Sequence, residues 1–202
     1  SIAIILLLLA GLAVRQHHYR YGRYVGHILF ILLALALALH WWPGFYNARM
    51  IDNERFTENA VPFSMNLNLD KPLIGFWLLL VCPWIVAPHS LTQTLKTIAL
   101  AISLTALTTL GGAWLLGIVE WSAKWPVQAW LWINNNLLLV TLVEEALFRG
   151  YLQGGLTRRF RHLAYGEDLA LLSASLLFGL AHWGAGWEWV LLASLAGAGY
   201  GL

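Results

Sequence analysis

Long apolar runs separated by short polar connections occupy most of the chain. They cover 1–14, about 25–42, about 72–88 and about 97–119. A further run starts near Ala129, another spans about 168–187, and a last one starts near Trp189. These about seven runs approach or exceed the roughly 20 residues that a helix needs to cross a bilayer. Backbone groups in lipid must pair within their own segment, and no strand-like alternation favours a barrel. The pattern therefore predicts an all-α, polytopic transmembrane helical bundle with about seven spans visible. The chain begins at Ser1 inside one apolar run and stops at Leu202 inside another, so the expected bundle is truncated at both ends. No charged region precedes the first run, which argues against a cleavable signal peptide.

One membrane domain is expected over 1–202. Its first part, 1–128, holds the N-terminal spans and a longer extracytoplasmic loop, 43–71. That loop contains Pro43, Pro62 and several Asn residues and reads as a small lid or strap. The remainder, 129–202, concentrates the unusual polar residues. Orientation follows from Lys and Arg in the connections. Arg15, Arg20, Arg23, Lys96, Arg158, Arg159 and Arg161 mark the cytoplasmic side. On the other side, Arg49, Arg55, Lys71 and Lys124 are sparser and are offset by Asp52, Glu54, Glu58 and Asp70. Trp41, Trp42, Trp121, Trp125, Trp130, Trp183, Trp187 and Trp189 all fall at the outer ends, as an interfacial aromatic belt would.

Composition narrows the class. Of 202 residues, 59% are hydrophobic and 11% charged, which excludes disorder and disfavours a soluble domain. The net charge of +2 comes without a basic cluster, so no nucleic-acid partner is expected. A single cysteine, Cys82, forbids an internal disulfide and reads as an inert thiol in an apolar run.

Charged groups inside such runs cost about 2.5 kcal/mol each or more, so they call for a reason. Glu144 and Glu145 adjoin in the stretch Val143-Glu-Glu-Ala-Leu-Phe-Arg149-Gly150, and His182 ends Phe178-Gly-Leu-Ala-His182. If the fifth helix continues past Gly150, Gly154 and Gly155 to Arg159, Glu144 is about 15 residues from its inner end. His182 is about 14 residues from Asp168, so both lie roughly 20 Å along antiparallel neighbours. A shared site then becomes possible. Glu145 and Arg149 are spaced i, i+4 and can pair, leaving Glu144 free. Phe178 and His182 share a face by the same spacing, so the ring would wall the site and fix the imidazole. An unpaired carboxylate out of water shifts toward its neutral form, as a general base working near pH 7 requires. A neighbouring histidine can orient water or stabilise an oxyanion.

These residues resemble the motifs of the CPBP family of intramembrane proteases, which includes CAAX prenyl endopeptidases and bacteriocin-processing or immunity proteins. The family's E-E-x-x-x-R corresponds to Glu144, Glu145 and Arg149, and its F-x-x-x-H to Phe178 and His182. The likeness covers roughly 129–202, which is expected to be the catalytic core, incomplete at its C-terminus. It implies a glutamate-dependent endopeptidase in which Glu144 activates water and His182 helps to bind that water or the oxyanion. Glu145, Arg149 and Phe178 would support them. A third family motif, His-x-x-x-Asn/Asp, is absent, and its place is expected beyond Leu202.

No cofactor is expected. There is no H-E-x-x-H, and Glu144 with His182 gives too few ligands for a catalytic zinc, which typically takes three. The expected partners are a membrane-associated protein or peptide substrate and the lipid bilayer. The expected location is a bacterial inner membrane.

Plainer readings compete with these. Two glutamates at a helix end can simply be solvated, Arg149 can be a topological cation, and Phe178 can be packing alone. His17 and His18 read as solvated, and His27, His40, His89 and His162 lack a matching partner for metal binding. Asn134, Asn135 and Asn136 read as helix–helix adhesion ahead of a wet access route. Arg158, Arg159 and Arg161 read as topology signals that touch lipid headgroups. For the whole chain, the alternatives are a non-catalytic binding or immunity protein and, less favoured, a proton-coupled transporter. The second would call for paired halves, which the sequence does not show.

Overall fold

The computed structural model describes residues 2–15, 20–58, 60–86 and 90–201, with the side chain of Arg20 outside the description. His17, His18 and His89 lie outside the described residues. The chain is mostly helical, 71%, as expected for an all-α protein. It divides into two compact units, each described by itself below.

The first unit comprises 1–83 and 125–147. Helices α1 (Ile2–Arg15) and α2 (Arg20–Ala38) pack along small and apolar positions. Ala3, Leu7, Ala10 and Val14 of α1 are buried, as are Phe30, Leu33, Ala34 and Leu37 of α2. Both sets recur every three or four residues, the period of one helix face. The strands β1 (Arg49–Glu54) and β2 (Phe63–Asn66) form an antiparallel hairpin within the 43–71 loop. Ile51 and Met65 pair across it and are its buried side chains. The strap read from the sequence is thus a hairpin, and Gln128 ties it down by donating to both Glu54 carboxylate oxygens at 2.8 and 2.9 Å.

Helix α3 (Pro72–Val81) is shorter than the third expected span. Pro83 is the cause: it has no N–H and pushes the residue before it out of the helical region. Cys82 accordingly sits at φ −116°, ψ 71°, and a 3-10 turn, Pro83–Ile85, follows. Trp77 anchors α3 twice. Its ring stacks on Phe30 at 3.8 Å, and its indole Nε1–H donates to the Leu7 carbonyl at 2.8 Å.

Helical backbone then continues without interruption over 129–160, but not as a uniform α-helix. Helix α5 (Ala129–Asn134) passes into a π-helical segment, Asn135–Thr141. After α6 (Leu142–Glu145) comes a second π-helical segment, Ala146–Gln153, and then α7 (Gly154–Phe160). The expected continuation past Gly150, Gly154 and Gly155 is therefore present. The adhesive role expected of the asparagines is corrected for two of them. Asn134 and Asn136 donate to the carbonyls of Trp130 and Trp132, four residues back on their own helix. Such back-bonding competes with the regular ladder just where π turns begin.

The second unit comprises 84–124 and 148–202. Helix α4 (Leu91–Leu115) packs on α9 (Trp187–Gly201), which packs on α8 (Gly166–Leu180). The α8–α9 contact relies on small residues. A Cβ on Gly179 would overlap the Ser194 hydroxyl and lie 2.6 Å from the Val190 carbonyl, so only glycine permits this approach. Helix α4 is inverted relative to a soluble helix: Thr105 is buried, while Leu100 and Leu107 are 70% and 74% exposed. Water would penalise such a surface and a bilayer would not. Among the described residues, 21–38 and Leu91–Leu115 are the two helical stretches long and apolar enough to cross a membrane.

Candidate active site

Glu144 and Glu145 are half-buried on α6, in the first unit. Arg149, Phe178 and His182 belong to the second. The two groups are built by different means.

Glu144 meets a partner that the sequence did not reveal. Lys71 Nζ lies 3.9 Å from its Oε1, an ion-pair distance, with the side chains 20% and 27% exposed. The expectation of a free Glu144 is therefore corrected. Its cause is the close contact of α3 with α6, which brings the start of one helix beside the other. Lys71 is itself held from behind. Buried Asp70 accepts from the Lys71 backbone N–H at 3.0 Å and from His40 Nδ1 at 2.6 Å. A carboxylate only accepts, so His40 Nδ1 carries the proton in this pair. Asn47 approaches both, its amide 3.4 Å from Asp70 Oδ1, and its own oxygen accepts from the Leu69 N–H at 3.0 Å. His40, which the sequence left without a partner, thus has one from a distant segment.

In the second unit, Phe178 is the hub. Its ring lies 5.0 Å from His182, edge-on, 5.1 Å from Phe148 and 6.4 Å from Tyr200. The Arg149 guanidinium stands 5.0 Å from the Phe178 ring centroid and 5.8 Å from that of Tyr200. Both are within cation–π range. Sequence reading gave Arg149 a carboxylate partner or a topological role and overlooked these two rings. Tyr200 carried no motif, and only the packing of α8 on α9 brings it in. Arg158, read as a headgroup contact, stands over Trp84 at 5.0 Å.

His182 does not sit within the sixth helix, as its expected bounds of 168–187 had it. Helix α8 ends at Leu180, and His182 opens the following 3-10 turn, Trp183–Ala185. Its Nδ1 is 2.9 Å from the Phe178 carbonyl, which it reaches back to cap. A carbonyl can only accept, so Nδ1 bears the hydrogen and Nε2 of the neutral ring is left as an acceptor. The F-x-x-x-H spacing therefore does two things: it sets ring against ring and it selects the tautomer.

The helix that carries Glu145 and Arg149 changes its winding between them: Ala146–Gln153 bonds i to i+5. Single π turns inside α-helices frequently accompany functional sites, and this one follows directly on Glu145.

Residues 125–202 match a protein-family model described as Type II CAAX prenyl endopeptidase Rce1-like. The matched stretch contains both motifs, so the resemblance to the CPBP/CAAX proteases is borne out there. It is a match to a family of membrane-embedded proteases, which act on peptide or protein substrates. No curated protein matches the chain, and no solved structure does.

Proposed function

We propose that this chain is an intramembrane endopeptidase that hydrolyses a peptide bond in a membrane-associated protein or peptide. Glu144 is the general base, taking a proton from the attacking water. The hydroxide adds to the carbonyl carbon; the C–N bond then breaks as Glu144 passes the proton to the departing amine. His182 assists through Nε2. In the neutral tautomer this atom accepts a hydrogen bond and so suits holding the water; donation to an oxyanion would require the imidazolium. Arg149 and Phe178 support His182, and Glu145 adjoins the base.

The observation that carries this reading is that both motifs fall inside the matched 125–202 segment. The ring packing and the selected tautomer of His182 agree with it. Inside-out α4 favours a bilayer setting, for which we propose a bacterial inner membrane. The family that the matched segment resembles makes a prenylated C-a-a-X peptide the first substrate to offer.

The test is proteolysis by the full chain in liposomes, with a farnesylated C-a-a-X peptide and an unprenylated, membrane-tethered peptide. Glu144→Gln keeps the shape of the side chain and removes the base. It should lower kcat by about 10²–10⁴-fold, the usual contribution of a general base. His182→Ala should also be severely impaired. Cleavage by Glu144→Gln at the parental rate would overturn the mechanism.

A further inference from the structure

Lys71 belongs to the N-terminal part of the chain, outside the matched segment, and no motif contains it. From sequence it is one more cation at the start of a span. A lysine serving only that purpose extends its ammonium to water or headgroups. This one is 20% exposed and turned toward a carboxylate.

Three features of the first unit hold it there. Pro72, at the first turn of α3, starts the helix immediately after Lys71 and fixes the local backbone. Asp70, 1% exposed, grips the Lys71 N–H while bound on its other oxygen to His40, just past the end of α2. One turn into α3, Gly75 lets the helix come close to α6: a Cβ there would lie 3.2 Å from Val143 Cγ2. Val143 is the residue before Glu144. Helix contact, helix start and buried carboxylate together fix Lys71 beside Glu144.

We propose that Lys71 is a positioning residue for the reaction, its ammonium orienting the Glu144 carboxylate between turnovers. The inference rests on Glu144 being the base. Charges 4 Å apart attract more strongly where water is sparse, so a half-buried pair can hold a rotamer that an exposed pair cannot. The carboxylate is then ready to receive the proton of water in one orientation. Losing that orientation is costly, since a misplacement of about 1 Å at a reacting group can cost on the order of a hundredfold in rate.

The experiment has two arms on the full chain in detergent. In the first, a water-soluble carbodiimide joins amines to carboxylates already in contact, and mass spectrometry seeks the Lys71–Glu144 amide. The cross-linked peptide should form in the parent and be missing in Lys71→Arg. Its absence from the parent overturns the proposal, whatever the activity. In the second arm, a farnesylated C-a-a-X peptide is cleaved by Lys71→Met, Lys71→Arg and Glu144→Gln. Lys71→Met should lose about tenfold to a hundredfold in kcat at unchanged KM, and Lys71→Arg should recover most of it. A merely structural lysine would not give this split or this rescue. Full kcat in Lys71→Met beside an inactive Glu144→Gln overturns the role of Lys71 alone. Parental cleavage by Glu144→Gln overturns the base, and the inference with it.

Discussion

The surroundings of Glu144 and His182 are assembled in opposite ways. His182 is held by the end of the helix that it follows. The carbonyl it caps and the ring it meets both belong to Phe178, one turn earlier. Glu144 is held by residues from far along the chain: Lys71 at the start of α3, with Asp70 behind it and His40 behind that. A local arrangement forms as soon as its helix does and is fixed by spacing. An assembled one depends on helix packing and can be lost without touching the helix that bears the residue. The first should tolerate distant substitutions, and the second should not.

The severest way to break the local arrangement is to push α8 off α9. Gly179 lies between Phe178 and His182, and a Cβ there meets Ser194 and the Val190 carbonyl. Backbone cannot yield as a side-chain tip can, so Gly179→Ala should cost about 1–3 kcal/mol. Thermal unfolding in detergent measures this, and activity should fall with it. An unchanged melting temperature would mean that α8 and α9 do not approach as described.

A smaller effect is expected at the tether of α3 to α1. Trp77→Phe keeps a ring for Phe30 to stack on and removes the donor to the Leu7 carbonyl. In membrane proteins such bonds average about 0.6 kcal/mol, because the unfolded chain in lipid also finds partners. Melting should therefore drop by that small amount. If the first unit is tethered in series, the Lys71–Glu144 cross-link should weaken too. A cross-link yield unaffected by Trp77→Phe would show that α3 is placed by its contact with α6 alone.

The same contrast explains what could be read in advance. Phe178 and His182 were legible because a four-residue spacing brings a side chain back over the previous turn even at a helix end, and needs no knowledge of neighbours. Helical continuation through Gly150 was legible because apolar content outweighed three glycines. Lys71 was not, since nothing in a linear pattern says that α3 will lie on α6. The hairpin was missed because its apolar signal reduces to Ile51 and Met65, too few for a period. The π turns were missed because one extra residue per turn leaves no readable period in segments of seven and eight residues. The third span was drawn too long because Leu and Ile masked the effect of Pro83.

The least effect is expected where a second ion pair offers a control for the first. Arg49 donates to Asp52 at 2.8 Å, a shorter distance than that between Lys71 and Glu144. By distance alone it would be the stronger pair. Yet its side chains are 58% and 67% exposed, against 20% and 27% for the other. Water and salt screen exposed charges, and ordering two long side chains costs entropy, so such pairs contribute from nothing to about 1 kcal/mol. Arg49→Ala should shift unfolding by less than about 0.5 kcal/mol and leave kcat as it was. If instead it slowed cleavage as much as Lys71→Met, charge in this part of the chain would matter only in sum, and the ion pair beside Glu144 would lose its special standing.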